Sequence, residues 1–332
     1  MVLNQQLVIG TLVMLISYYK KMIDSITKLM NYSRTIKERS VSIERIKKIL
    51  SYTGVDKFTF GDIEEDDIDG LVKFKNVSFT YSDEVGGSVK NITFSAAPTS
   101  ITSIVGKSGS GKTTIANLLM RKYHSTAGQI TIDDIDIFSY TTHVYAKNVT
   151  LVDQTPFMFN SSIRSNLSMV DGSTKRQIAA CKRVGIHNAI MRLPSGYNTI
   201  LSAEHKGFSN SQIQLLAIAR ALLTGAEILV FDEATSVLDP TLGNAIPALI
   251  KDLSLDHTVI LVTHDKDIMK ISDKIVIIDE GNLVGVGTHA ELINSNKYYT
   301  NLINSSYAQL DWAADDTDEA APITEPESKS VL

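Results

Sequence analysis

The residues best suited to chemistry form a glycine-rich run, GKSGSGKTT. The run follows an apolar stretch typical of a buried strand and leads into a helical pattern, as a phosphate-binding loop does. Its glycines let backbone N–H groups surround a phosphate, and the start of the helix adds positive potential. Lys112 can reach the β- and γ-phosphates of a nucleotide, and the Thr113 hydroxyl can ligate Mg²⁺. The predicted nucleotide-binding residues here are Gly106, Lys107, Ser108, Gly109, Ser110, Gly111, Lys112, Thr113 and Thr114.

Two carboxylates end a second apolar run, ILVFDE, far along the chain from this loop. Parallel sheets bind ligands at the C-terminal ends of their strands, so both side chains are expected near the loop. Asp232 is then placed to hold the Mg²⁺ shell, and Glu233 to polarise an attacking water. Such a pair alone is equally typical of a helix cap, but together with the phosphate loop it predicts hydrolysis of a nucleotide.

The surrounding patterns predict an α/β domain that positions these residues. LVKFKNVSFTY alternates apolar and polar residues as a half-buried strand does, whereas SITSIVG, EILVFD, TVILVTH and KIVIID read as fully buried parallel strands. Helical patterns separate them, which predicts a largely parallel sheet. The formal net charge of -5 lacks the basic footprint of a nucleic-acid partner. The single cysteine, Cys181, excludes an intrachain disulfide and is expected to be buried.

The N-terminal segment differs from the rest of the chain. LVIGTLVMLISYY carries no charge, and with the five residues before it has about the length of one membrane crossing. Basic residues begin at Lys20, so the positive-inside rule places the following chain in the cytoplasm. A buried helix of a soluble protein is the alternative, because the uncharged run is short. We predict a membrane helix with its cytoplasmic extension in 1–50, an acidic linker in 51–70, the α/β domain in 71–305 and a disordered acidic tail in 306–332.

The order of motifs from Tyr81 to His289 resembles the nucleotide-binding domain of ATP-binding cassette (ABC) transporters, particularly exporters. The resemblance covers nearly all of residues 1–305. It implies a P-loop NTPase fold, an ABC-type ATPase domain with a helical subdomain, that binds ATP and Mg²⁺ and hydrolyses ATP.

This resemblance implies roles for four further residues. Tyr81 in VSFTY would stack on adenine, and Gln154 in LVDQTPF would contact Mg²⁺ and the attacking water. Asp239 in SVLD would lie at the seam of a dimer, and His264 in LVTHD would contact the γ-phosphate. The segment after Gln154 would contact the membrane domain.

One motif departs from the family pattern. The family signature is Leu-Ser-Gly-Gly-Gln, which completes the ATP site of a partner across a head-to-tail dimer. This chain has Phe208, Ser209, Asn210, Ser211 and Gln212 there. Ser209 keeps a hydroxyl for the γ-phosphate and is a good helix N-cap, and Gln212 is retained. Two Cβ atoms now stand where the backbone should approach phosphate closely.

The site that the chain builds itself is therefore complete, while the face that it offers a partner is impaired. That asymmetry predicts a heterodimer with a second half-transporter chain that has a regular signature. The alternatives are a homodimer with two slow sites and a decaying gene.

The N-terminal segment resembles the last transmembrane helix of an exporter, without the five that precede it. The chain is then a fragment or one piece of a split transporter, with the missing helices supplied by a longer or separate chain. We expect it at the cell membrane, with the ATPase domain on the cytoplasmic side. A soluble ABC-type ATPase acting on nucleic acid or ribosomes is disfavoured by the uncharged run and the net acidity. A phosphate-loop kinase would lack the glutamine loop and the signature helix.

Overall fold

The computed structural model describes residues 9–50, 60–65, 67–81, 88–201, 208–236, 238 and 245–304. They fall into two compact units that divide between Thr59 and Phe60. Half of the predicted linker (51–59 and 66) and the whole predicted tail lie outside the described residues.

The N-terminal unit contains one long helix, α1, from Ile9 to Leu50. Its uncharged part ends at Tyr19, before Lys20 and Lys21, and therefore rises about 16 Å, whereas the hydrocarbon core of a bilayer is about 30 Å thick. None of the helices in the described ranges is long and apolar enough to cross a membrane. The predicted long helix is confirmed. The uncharged part of it within the described residues is too short for the predicted membrane crossing, and the residues before Ile9 lie outside the described ranges.

The described strands of the second unit form one ten-stranded sheet. The strands are β1 (Val72–Thr80), β2 (Ser88–Ala96), β3 (Ile101–Val105), β4 (Ala127–Ile132), β5 (Ile135–Asp136), β6 (Val149–Val152), β7 (Ile228–Asp232), β8 (Thr258–Val262), β9 (Lys274–Asp279) and β10 (Asn282–Gly287). Their order across the sheet is β5-β4-β1-β2-β10-β9-β3-β8-β7-β6. Strands β9, β3, β8, β7 and β6 are parallel neighbours, whereas β5, β4, β1 and β2 pair antiparallel.

Burial explains why the sheet has two halves. Every residue of β3 and β8 is buried, including Thr102 and Ser103, because helices cover both faces of parallel strands. In β1, buried and more exposed residues alternate along much of the strand. The prediction of parallel strands is thus confirmed for the half of the sheet that carries the loop and the acidic pair. The other half is antiparallel, which the prediction of a largely parallel sheet did not include.

Besides a helical stretch at 297–304, nine further α-helices are described in this unit. They are α2 (Lys112–Leu119), α3 (Thr142–Asn148), α4 (Ile163–Ser168), α5 (Thr174–Arg183), α6 (His187–Met191), α7 (Asn210–Leu223), α8 (Ala245–Leu253), α9 (Lys266–Ile271) and α10 (His289–Ser295). Helices α4 to α7 lie between β6 and β7 in the chain and form the predicted helical subdomain. Its core includes Cys181, Ile190 and Leu216 and continues into Leu229 of β7, so the subdomain and the sheet share one hydrophobic cluster. The predicted burial of Cys181 is confirmed.

Candidate functional site

The glycine-rich loop connects β3 to α2, and its geometry requires glycine. A Cβ atom on Gly106 would lie 2.0 Å from the carbonyl oxygen of Ile278, so no larger residue fits there. Gly111 precedes α2 with φ +105°, a left-handed conformation that glycine adopts without strain. The loop therefore brings its backbone N–H groups and the start of α2 close to any bound group, as phosphate binding requires.

Lys112 places a cation beneath the loop. Its ammonium group donates hydrogen bonds to the carbonyl oxygens of Gly106 at 3.0 Å and Lys107 at 2.8 Å, and only 4% of the residue is exposed. Burial lowers the pKa of Lys112, while the carboxylates of Glu233 and Asp232 act in the opposite direction. The buried hydroxyl of Ser110 has no hydrogen-bond partner among the described residues. A buried cation and an unsatisfied donor in one loop fit an anionic ligand such as a phosphate.

Thr113 and Asp232 bring two oxygen ligands together across the site. The Thr113 hydroxyl donates to Oδ1 of Asp232 at 3.2 Å, where β7 ends. Burial raises the pKa of Asp232, and the hydrogen bond from Thr113 opposes that rise. No cluster of three or more His, Cys, Asp or Glu suited to a metal occurs within the described ranges. One carboxylate and one hydroxyl fit Mg²⁺, which prefers few protein ligands together with substrate phosphates.

Glu233 occupies the centre of a small polar group at the same sheet edge. Its φ of +51° is unusual for a residue with a side chain, and such strained positions cluster at functional sites. Gln154 Nε2 donates to Oε2 of Glu233 at 3.4 Å, and Nε2 of His264 lies 3.5 Å from Oε1. Both contacts are long, which is ordinary for catalytic groups without bound substrate.

The electrostatics of His264 favour its neutral form. Burial lowers the pKa of His264, the positive charge of Lys112 lowers it further, and Glu233 opposes both. The imidazole is then neutral at pH 7, so one of its nitrogens donates a hydrogen bond and the other accepts one. Glu233 is the carboxylate available as a base, and His264 is a neutral partner beside it.

The aromatic ring of Tyr81 lies beside the glycine-rich loop. Tyr81 follows β1 and lines a cavity of about 220 Å³ together with Ser108, Gly109, Gly111, Lys112, Thr113, Thr114 and Glu233. Its ring packs against Phe79 and Tyr123, and we refer to these three residues as the aromatic triad. Tyr81 therefore shares a cavity with the phosphate loop, and its stacking on a nucleotide base stays a prediction.

The signature segment begins α7. Ser209 is the N-cap: its hydroxyl accepts from the backbone N–H of Gln212 at 3.2 Å, and the Gln212 side chain accepts from the N–H of Ser209 at 3.0 Å. The predicted N-cap is confirmed, and the reciprocal bonds form a capping box. These bonds join Ser209 and Gln212 to each other rather than to the phosphate loop. The position predicted for the dimer seam, Asp239, lies outside the described residues.

The structure thus brings together the predicted loop, Tyr81, Gln154, Asp232, Glu233 and His264. Sequence reasoning missed two charges that act on Asp232. Lys122 lowers the pKa of Asp232 and Asp153 raises it. Asp153 directly precedes Gln154 and could have been found from that adjacency. Lys122 follows the C-terminal end of α2, and only the fold shows that it acts on β7.

Comparison with known proteins agrees with this geometry. The family model described as ABC transporter matches residues 89–236. A putative multidrug export ATP-binding/permease protein of Bacillus subtilis is 32% identical over 91% of this chain and 52% of its own length. The alpha-hemolysin translocation ATP-binding protein of Escherichia coli O157:H7 is 33% identical over 89% of this chain and 42% of its own length. The chain spans about half the length of the curated relatives that it matches.

Similarity to a solved structure extends along almost the whole chain. The structure of a bacterial Atm1-family ABC exporter with ATP bound superposes with a TM-score of 0.70 and 28% sequence identity. The match covers 96% of this chain and 54% of that protein.

Proposed function

The chain carries the ATPase domain of an ABC transporter, and on that premise we propose that it is the ATP-hydrolysing part of an ABC exporter that works as one half of a heterodimer. The observation that supports hydrolysis is the group around Glu233, whose two carboxylate oxygens lie near Gln154 and His264. Lys112 and Thr113 lie at the start of α2, within the same cavity as Glu233.

Each residue has a chemical role in this proposal. The loop N–H groups and Lys112 hold the phosphates of ATP, and Tyr81 stacks on the base. Glu233 accepts a proton from water as the water oxygen bonds to the γ-phosphorus, while the bond from that phosphorus to the bridging oxygen breaks and ADP leaves. Neutral His264 donates a hydrogen bond to the γ-phosphate, and Gln154 orients the water. Thr113 and Asp232 would hold Mg²⁺, which when bound would offset the negative charge of the phosphates.

The heterodimer part of the proposal is supported by the signature segment. In the family, this segment approaches the γ-phosphate bound by the partner chain. Asn210 and Ser211 add side chains at positions where glycine leaves room for that approach. Ser209 keeps its hydroxyl, which accepts a hydrogen bond within the capping box and still has its O–H to donate, so the impairment rests on Asn210 and Ser211. In this proposal a regular signature from the partner completes the ATP site of this chain, whereas the signature of this chain completes the ATP site of the partner poorly.

Helix α1 supports membrane attachment. Large apolar side chains along its first turns, including Val13, Met14 and Ile16, are more than half exposed within the described structure. We propose that other helices of an exporter membrane domain, from a longer or separate chain, cover them. This places the protein at the cell membrane with its ATPase domain on the cytoplasmic side. The relatives' names include toxin translocation and lipid A-core flipping, so we assign no cargo.

The proposal is tested by measuring ATP binding and hydrolysis with the full chain over a range of protein concentrations. We expect it to bind ATP and to hydrolyse it slowly, with little acceleration as concentration rises. Rapid hydrolysis that rises cooperatively with concentration would contradict the heterodimer. Failure to bind ATP would contradict the ATPase function itself.

A further inference from the structure

Tyr123 contacts the ring of Tyr81, which lines the cavity beside the phosphate loop. Its ring centroid lies 5.1 Å from that of Tyr81, and the two ring planes are 83° apart. Phe79 contacts Tyr81 in a similar way, at 4.8 Å and 84°. Phe79 and Tyr123 are themselves 5.2 Å apart, so each ring of the aromatic triad touches the other two. Near-perpendicular contacts at these distances are favourable for aromatic rings.

The position of the Tyr81 ring depends on these contacts. Its backbone lies beyond the last paired residues of the β1–β2 ladder, Thr80 and Ser88, so the sheet does not fix it. Phe79 is buried in the core and provides one fixed neighbour. Tyr123 provides the second and is 38% exposed, so it can be replaced without opening a large cavity in the core. Without Tyr123, the Tyr81 ring would keep only the Phe79 contact within the triad.

The residues that flank Tyr123 in the chain each make side-chain contacts with other parts of the domain. The Arg121 guanidinium donates to the carbonyl oxygens of Ile137 and Tyr140 and lies 3.6 Å from the centroid of the Tyr145 ring. On the other side, the His124 ring stacks on Phe138 with centroids 3.8 Å apart. Arg121 is buried and His124 is exposed, and Tyr123 lies between them in the chain.

The position of Tyr123 in the chain connects the ring of Tyr81 with the phosphate loop. Tyr123 follows α2 by four residues, and α2 begins with Lys112 and Thr113 of the phosphate loop. We infer that Tyr123 is a positioning residue for nucleotide binding: it holds the Tyr81 ring at the distance from the phosphate loop at which a purine base can stack. The inference rests on the proposed ATP binding and adds a residue that acts on the base through Tyr81.

The test compares the affinity of the full chain for ATP with its affinity for inorganic tripolyphosphate, which has no base. Tyr123→Leu removes the ring, Tyr123→Phe keeps it, and Tyr32→Leu is a matched control on exposed α1 in the other unit. For Y123L we expect the Kd for ATP to rise about three- to tenfold, from the loss of one aromatic contact. Y123F and Y32L should match the wild type, and the Kd for tripolyphosphate should stay the same in all variants.

Three results would overturn the inference. One is an unchanged Kd for ATP in Y123L. Another is an equal loss of ATP and tripolyphosphate affinity, because that would mean that Tyr123 supports the fold of the phosphate loop rather than the base-stacking ring. The third is a wild-type chain that binds ATP no more tightly than tripolyphosphate. A wild-type chain that binds neither would refute the proposed ATP binding itself, and this failure is seen in the wild type before any variant is compared.

Discussion

Nε2 of His264 lies 3.5 Å from Oε1 of Glu233, at the edge of the sheet where β7 and β8 end. The two side chains come from strands that are neighbours in space but separate in the chain. Their proximity joins the proposed base to a neutral imidazole, and the first two predictions follow from it.

Replacing Glu233 with Gln should abolish hydrolysis and leave ATP binding intact. The amide has nearly the same shape as the carboxylate but cannot accept the proton of water, and loss of a general base costs about 10²- to 10⁴-fold in rate. We expect the ATPase rate of the full chain to fall by that factor, while the Kd for ATP changes by less than about threefold, within the effect of one weak contact. Glu64→Gln, at an exposed position in the linker, is the matched control. Retention of more than a tenth of the wild-type rate in E233Q would contradict the assigned role.

The titration of His264 should occur below the usual histidine range. Burial and Lys112 lower its pKa and Glu233 raises it, so Lys112→Ala should raise the pKa and Glu233→Gln should lower it. The measurement is the pH dependence of the imidazole NMR resonance, assigned with the variant His264→Asn. Because a lowered pKa means that the proton leaves at lower pH, the ring is neutral at pH 7. A pKa above 6.5, or a shift of opposite sign in either variant, would contradict the described environment.

Thr113 should control how much Mg²⁺ strengthens ATP binding. Its hydroxyl contacts Oδ1 of Asp232, so these two oxygens form the proposed protein half of the ion site. Thr113→Val preserves the shape and removes the hydroxyl, whereas Thr113→Ser keeps it. We expect the Kd for ATP to be equal with Mg²⁺ and with chelator in T113V, and to remain Mg²⁺-dependent in T113S. A full Mg²⁺ effect in T113V would show that the ion is held elsewhere.

Gly106 should tolerate no side chain. The Cβ of Gly106→Ala would lie 2.0 Å from the Ile278 carbonyl oxygen, so the loop or β9 must shift. We expect the free energy of unfolding in urea to fall by about 2 kcal/mol or more, together with loss of ATP binding. Gly172→Ala is the control, because no atom lies within 4 Å of the added Cβ and its φ is not positive. Equal stabilities of the two variants would contradict the described packing of the loop.

The sequence was most informative where one local pattern determines one structure. The largely apolar stretch from Ile101 to Val105 favours a buried strand, and the glycines after it favour a tight loop, so β3 and the phosphate loop were predictable. Ser209 was predictable as an N-cap because capping depends on neighbouring residues.

Contacts that depend on the folded chain were not predictable in this way. Tyr123 meets Tyr81 only because β1 and the end of α2 come together, and nothing in the local sequence of either indicates it. The lowered pKa of His264 likewise depends on burial and on Lys112, which is far away in sequence. The membrane prediction used the uncharged run with the five residues before it and the basic residues after it, but the uncharged part of α1 within the described structure is too short for a crossing.

The central claim, that this chain has a complete phosphate-loop side and an impaired signature, is tested most directly by mixing two forms of the full chain. One is the wild type. The other is the triple variant Lys112→Ala, Asn210→Gly, Ser211→Gly, which has a repaired signature but cannot bind phosphates through its own loop. Only a mixed dimer then combines an intact loop with a regular signature.

The measurement is the ATPase rate of the mixture compared with each form alone at the same total concentration, with Lys112→Ala alone as the partner in the control mixture. The account predicts slow hydrolysis by each form alone and by the control mixture. In the test mixture it predicts a rate at least about tenfold higher, which corresponds to a lowering of the activation barrier by about 1.4 kcal/mol. A test mixture no faster than the sum of its parts, or a wild type already as fast alone, would contradict it.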